Sequence, residues 1–278
     1  NGPLQTQFAQ HLAENLPPNG IIISDDPYRL ALVRHWLGQQ GRVKDYMMLC
    51  SQWLTVPDYH RHLAKVYPKW PAPDLLPEQK DVPTTTLVTM LEKLGKEQSI
   101  VYLHPSFGYY FEAFDSQPSG LIMRLVPYST NNLVAPPQSA EVIARNHKDW
   151  AALSTEISRT IAPHIPHEEN KTRLGFPDTL YRRIGLKPIK NRLVQDLGAF
   201  YSRSLVNWAV ELQRAGDYEN AVSHYQLAQR LNPKNVVAEI NLAFNKKFRG
   251  GQLIAADLER LPDEYFGESR SWNQVLNL

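Results

Sequence analysis

The stretch GIIISDDPYRLALVRHWLGQQG, residues 20–41, decides the fold of the first half of the chain. Residues 21–23 form a short continuous apolar run, which is typical of a strand buried on both faces of a sheet. Asp26 followed by Pro27 indicates a helix N-cap with proline at the first helical position, and Gly41 marks the end of that helix. The segment therefore predicts a strand that leads directly into a helix.

The same alternation extends outward from this unit. The apolar spacing predicts further helices at residues 4–16, 57–67 and 84–94, with Gly95 as the C-cap of the last, and further strands at residues 46–50, 100–104 and 121–126. The strand at residues 121–126 can form a hairpin with the preceding strand across the aromatic stretch GYYFEAFDSQPSG. We therefore expect a small, mainly parallel, Rossmann-like sheet with helices on its faces.

From residue 141 onward the strand signal disappears and helical patterns replace it. The segment NWAVELQRAGDYENAVSHYQLAQRLNPKN, residues 207–235, resembles a tetratricopeptide repeat, in which small residues let two antiparallel helices pack closely. The residues at the expected positions are Ala209, Gly216, Ala221, Tyr225, Ala228 and Pro233. The chain is thus expected to combine an α/β and an all-α part: a sheet domain over residues 1–135, a helical and irregular connection over 136–190, and a tetratricopeptide-like domain over 191–278.

Composition narrows the possible functions. With 30 Lys and Arg against 28 Asp and Glu, the formal net charge of +2 indicates neither a nucleic-acid partner nor a polybasic membrane surface. Cys50 is the only cysteine, which excludes an intramolecular disulfide and a cysteine-based zinc site. No apolar run approaches the roughly 18 residues that a membrane-spanning helix needs.

The order of the motifs carries more information than any one of them. SDDP ends the first strand, SQWLTVPDYHRHL follows the second, VYLHPSFGYYFEAF and GLIMRLVPY come later, and the repeat-like segment comes last. This order resembles the soluble C-terminal region of the protein O-mannosyltransferase-like membrane glycosyltransferases of the GT-C type, a region long filed as a domain of unknown function. SDDP departs from the family in one respect, because the family's acidic strand end is usually richer in Gly, Asn and Asp.

The resemblance implies a setting for the chain. In that family a multi-span catalytic region comes first, so the full-length protein would transfer a sugar and the catalytic apparatus would lie outside this chain. The chain itself would be an accessory part on the extracytoplasmic, periplasmic side, tethered by an N-terminal membrane region. Its partners would then be that membrane-embedded catalytic region and a protein or polypeptide held by the repeat helices.

Polar residues follow two of the predicted strands. Asp25 and Asp26 come directly after the first strand, and His104 and Ser106 come at the end of the third. Open α/β sheets bind ligands beyond the carboxyl ends of their parallel strands, so these four side chains form a candidate ligand site. Helix capping by itself explains Asp26, which leaves Asp25 as the better functional candidate. No serine lies in a G-x-S-x-G motif, which argues against a hydrolase.

Two further groups of residues have both a functional and a structural interpretation. Tyr109 and Glu112, in the aromatic stretch, can stack on and orient a sugar ring, although aromatic runs of this kind more often belong to a core. His164 and His167 are separated by Pro166, which disrupts the helical spacing of a zinc site. No glycine-rich phosphate loop occurs, and we expect neither a metal nor a cofactor.

The sequence thus favours a binding role over catalysis. Four polar residues share the inner-helix register of the repeat-like segment and are candidates for a protein-binding groove: Asn207, Glu211, Asn241 and Asn245. An ordinary solvated helix face is the alternative. Two other functions remain open, namely a self-contained enzyme that uses Asp25, Asp26 and His104, and a soluble repeat-containing adaptor.

Overall fold

The computed structural model describes residues 2–71, 80–103, 113–128, 137–166 and 191–249. The chain divides into two compact units, residues 1–149 and 150–278. This division falls inside the connection predicted at residues 136–190. Within the described residues the fold is mixed α/β, with eight α-helices and one five-stranded sheet. None of the helices in these ranges is long and apolar enough to span a membrane.

The first unit contains the whole sheet. Its elements, in chain order, are α1 (Gly2–Ala13), β1 (Gly20–Ser24), α2 (Pro27–Gln39), β2 (Tyr46–Cys50), α3 (Pro57–Val66), α4 (Thr84–Glu97), β3 (Ile100–Tyr102), β4 (Phe114–Ser119) and β5 (Ile122–Pro127). Helix α5 (Ala140–Thr160) begins in this unit and ends in the second. The first strand, the proline-started helix after it and the second strand are thereby confirmed.

The sheet has the strand order β2-β1-β3-β5-β4. β1 runs parallel to both β2 and β3, whereas β5 runs antiparallel to both β3 and β4. The expectation of a mainly parallel sheet was therefore wrong for its second half. The reason is the tight turn at Gly120, whose φ of +60° reverses the chain between β4 and β5 without room for the long crossover that a parallel pair needs.

The parallel part of the sheet, strands β1, β2 and β3, is buried on both faces. One face, with Ile21, Ile23 and Leu49, packs into a core that includes Leu63 of α3 and Leu91 of α4. Helix α2 packs against β1 and β2, and α1 packs against α2. The fully buried pattern of β1 and β2 agrees with their continuous apolar sequences.

Gly95 does not end α4, which continues to Glu97. A Cβ atom at Gly95 would lie 3.0 Å from Pro127 Cγ and 3.2 Å from Phe114 Cε1. Glycine at this position therefore lets α4 approach the antiparallel strands closely. The predicted C-cap was wrong because the residue serves packing rather than helix termination.

The second unit is helical in its described part. After a short turn of 3-10 helix at Ala162–His164 come α6 (Arg192–Arg214), α7 (Tyr218–Leu231) and α8 (Val236–Arg249), with α6 packed on α7 and α7 on α8. The alanines at 209, 221 and 228 are all fully buried. A Cβ atom at Gly198 would lie 2.5 Å from the carbonyl oxygen of Leu231, so the two helices approach backbone to backbone there.

Candidate functional site

The carboxyl end of β1 carries the first predicted site residues. Asp26 caps α2: its Oδ1 accepts hydrogen bonds from the backbone N–H groups of Tyr28 at 2.8 Å and Arg29 at 3.4 Å. Its Oδ2 lies 3.3 Å from Nε of Arg29, a side chain that is only 2% exposed. The capping interpretation of Asp26 is thus confirmed, and this carboxylate is occupied by structural contacts.

The neighbouring polar groups at this edge are also enclosed. The hydroxyl of Ser24 donates to the carbonyl of Asp26 and accepts from its N–H, both at 3.1 Å. Burial raises the pKa of the Cys50 thiol, and the charges of Asp25 and Asp26 add to that increase. Because a thiolate is the reactive form of cysteine, Cys50 behaves here as a small buried hydrophobic residue.

Strand β2 forms one edge of the sheet, and tyrosine hydroxyls cover two of its backbone amides. The N–H of Met48 donates to the hydroxyl of Tyr67 at 3.0 Å, and the N–H of Cys50 donates to the hydroxyl of Tyr59 at 2.9 Å. Burial raises the pKa of Tyr59, so the phenol remains protonated. No motif in the sequence predicts this role for the two tyrosines. Their positions in or just after an amphipathic helix are the only sequence signal for it.

The remaining predicted ligand-site residues lie outside the described residues. They are His104 and Ser106 of the sheet edge, and Tyr109 and Glu112 of the aromatic stretch. Whether His104 meets Asp25 at the carboxyl edge therefore remains a prediction. His164 is exposed, and His167 also lies outside the described ranges. Within those ranges the structure brings together no group of three or more His, Cys, Asp or Glu side chains able to hold a metal ion.

The four predicted groove residues differ in their surroundings. The side chain of Asn245 is fully buried and donates to the carbonyl of Tyr218 at 3.1 Å, which joins α8 to the start of α7. Asn241 donates to the carbonyl of Val237 in its own helix at 2.8 Å. Glu211 accepts a hydrogen bond from Arg214 at 2.9 Å, and Asn207 lies one turn before it on α6.

Burial separates these four residues into two groups. Asn207, Glu211 and Asn241 are only partly buried, so their side chains can still reach a ligand. Asn245 is placed to hold two helices together. A groove built from all four was the expectation, and the accessible part of it consists of the first three.

Comparison with known proteins gives no relative for the chain: no family model, no curated protein and no solved structure matches it. Function must therefore be inferred from the contacts of the chain's own residues.

Proposed function

We propose that the chain is a binding module, the non-catalytic accessory tail of a membrane-embedded protein glycosyltransferase of the O-mannosyltransferase-like kind. In this proposal the helices α6, α7 and α8 form a tetratricopeptide-like unit that holds a protein or polypeptide acceptor. The supporting observation is the burial of Ala209, Ala221 and Ala228, at the spacing with which such repeats pack two helices closely.

The sheet unit supports a binding role in a second way. The parallel pairing of β1 with both β2 and β3, with α2 connecting β1 to β2, supports the Rossmann-like part of this proposal. At its carboxyl edge, however, Asp26 is a helix cap and Ser24 is fully buried. These two groups are committed to the fold, which makes acid–base catalysis at this edge the weaker interpretation.

The accessible polar residues of the helical unit suit a polypeptide ligand. Amide side chains such as those of Asn207 and Asn241 can both donate to and accept from an extended peptide backbone. Glu211, whose side chain is 13% exposed and pairs with Arg214, adds a negative charge on the same helix that favours a basic group on the ligand. An unfolded segment rich in serine and threonine is the acceptor that O-mannosyl transfer would require.

The proposed attachment of the chain to a membrane glycosyltransferase is tested by fractionation and intact mass of the native, full-length gene product. We expect a much larger integral membrane protein that has this chain at its C-terminus. A native product of about this size that remains in the soluble fraction would contradict the proposal. It would favour the soluble adaptor, or an enzyme working through Asp25, Asp26 and His104.

The binding role is tested on the chain itself by fluorescence anisotropy with a labelled, unstructured peptide rich in serine and threonine. We expect Asn207→Ala and Asn241→Ala each to weaken binding about fivefold to tenfold, the effect of losing one hydrogen bond of about 1 kcal/mol. Gln226→Ala, at an exposed position on α7, is the matched control and should bind as the wild type does. Equal affinities for all four proteins would exclude this groove.

A further inference from the structure

An open cleft of about 410 Å³ lies in the first unit, at the amino end of β3. It is at the opposite edge of the parallel strands from Asp25 and Asp26. The end of α4, the start of β3, and parts of β4 and β5 form its walls. The polar residues among its lining are Lys96, Glu97, Gln98, Ser99, Gln117 and Arg124.

Arg124 lies in this cleft together with a second basic residue, Lys96, and one acid, Glu97. Strand register places it opposite Val101 on β3 and opposite Gln117 on β4. Its side chain is partly buried, and its Nε atom is enclosed without a hydrogen-bond partner. The acid nearest to it in the register, Asp115, instead accepts a hydrogen bond from Gln117 at 2.9 Å. Arg124 therefore forms no ion pair with any residue that the structure describes.

A second arginine, Arg145 on α5, is close enough for its charge to act on Arg124. The adjacent residue Asn146 fixes this part of α5 on the β4–β5 hairpin, because its amide donates to the carbonyl of Pro118 at 2.6 Å and its carbonyl accepts from the N–H of Gly120 at 2.8 Å. The Nε atom of Arg145 is likewise enclosed and has no hydrogen-bond partner in the described part of the chain. Burial lowers the pKa of Arg124, and the charge of Arg145 lowers it further.

The two positive charges repel each other, and the enclosed Nε atoms of both arginines have lost part of their hydration. An anion between or beside them would remove that cost, and the planar guanidinium matches the oxygens of phosphate and carboxylate groups. Gln117 and Ser99 in the same lining can supply further hydrogen bonds. A polar, half-enclosed cleft of this size accommodates a small molecule.

We propose that this cleft binds a small ligand through its oxyanion group, a phosphate or a carboxylate, with Arg124 as the direct contact and Arg145 as the second positive charge. The site is in the sheet unit and is independent of the polypeptide-binding role proposed for the helices. A negative result for this cleft would therefore leave the polypeptide-binding proposal unchanged.

The test is calorimetric titration of the chain with inorganic phosphate, and in a second arm with acetate, at constant ionic strength set by chloride. We expect saturable binding in at least one arm, and the arm with the stronger response identifies the ligand group. Arg124→Gln and Arg145→Gln should each weaken binding tenfold or more. Arg61→Gln, an exposed arginine on α3 paired with Asp58, is the matched control and should leave binding within twofold of the wild type.

Stability in buffer without phosphate or acetate provides a second measurement. Arg124→Gln removes one of two like charges, so its Tm without a ligand should equal or exceed that of the wild type, while its Tm gain on adding phosphate should vanish. If Arg124→Gln does not fold, Arg145→Gln decides the question. Absence of saturable binding in both arms, or wild-type affinity in the folded arginine variants, would overturn the proposal.

Discussion

The side-chain amide of Asn235 donates to the hydroxyl of Ser202 at 2.8 Å, and the same hydroxyl donates to the carbonyl of Ala228 at 2.8 Å. Oδ1 of Asn235 also accepts from the N–H of Ala238 at 3.0 Å, which caps the start of α8. Both side chains are buried. One hydroxyl therefore connects α6, α7 and α8 in the interior of the helical unit.

Replacing Ser202 by alanine should destabilise the chain by about 1–3 kcal/mol, because two buried polar groups would lose their partner. Ser204→Ala is the matched control, since its hydroxyl only donates to the Phe200 carbonyl of its own helix, at 3.3 Å. That variant should change the free energy of unfolding by less than about 0.5 kcal/mol. Urea unfolding followed by circular dichroism measures both, and equal losses would show that Ser202 does not connect the helices.

The cap at Asp26 gives a graded prediction. Asp26→Ala should cost at least about 1–2 kcal/mol, because the N–H groups of Tyr28 and Arg29 lose their acceptor and the buried Arg29 side chain loses its contact with Oδ2. Asp26→Asn keeps an acceptor oxygen and should cost about 1 kcal/mol less than the alanine variant. Thermal and urea unfolding rank the two variants. The capping account fails if asparagine is as harmful as alanine at this position.

The tyrosines over β2 should prevent the edge strand from pairing with another chain. In a Tyr59→Phe, Tyr67→Phe double variant, the amides of Cys50 and Met48 lose their acceptors, at a cost of about 1–3 kcal/mol for each buried group. The freed edge should also increase association between molecules. Tyr28→Phe, at an exposed position, is the control. Light scattering at several protein concentrations should show an increase in particle size for the double variant, and none for the wild type or Tyr28→Phe.

His60 makes stability depend on pH. Burial lowers its pKa; the hydrogen bond between Nε2 and the carbonyl of Leu54, 2.6 Å long, opposes this without reversing it. As pH falls through about 6.5, His60 becomes protonated in the unfolded chain before it does in the folded chain. The free energy of unfolding therefore decreases as pH falls below about 6.5. The slope from this one residue is at most about 1.4 kcal/mol per pH unit.

A comparison of variants isolates this effect. The stability difference between the wild type and His60→Gln should narrow from pH 7.5 to pH 5.5, because only the wild type loses the contribution of neutral His60. For His62→Gln, at an exposed position on the same helix, the difference in free energy of unfolding from the wild type should stay constant over this pH range. A constant difference for His60→Gln across this range would refute the assignment.

Individual strands and helices of the sheet unit could be predicted from the sequence where a single strong pattern, such as an apolar run or a helix cap, was present. The isoleucines of β1, the apolar run of β2 and the Asp26–Pro27 cap all produced the elements that their chemistry favours. β4 was missed because its sequence, FDSQPS, is polar and contains proline. Pro118 is tolerated there because β4 is an edge strand, a property that depends on the whole sheet.

The contacts between distant residues could not be predicted in the same way. The effect of the Arg145 charge on Arg124 depends on how α5 lies on the β4–β5 hairpin, which no local spacing encodes. Asn245 has the same polar character as Asn241, yet only the structure shows that it is buried between helices. Residue type and register identified the candidates for the groove, whereas burial decided which of them remain accessible.

The two borders of the sheet limit how this unit can recognise another molecule. At β2 the amides of Met48 and Cys50 already donate to tyrosines, and at β4 Pro118 has no N–H to offer. An incoming extended chain would thus find few main-chain donors with which to continue the ladder. Selectivity in this unit must come from the chemistry of its side chains, so single substitutions can change what it binds without altering its backbone.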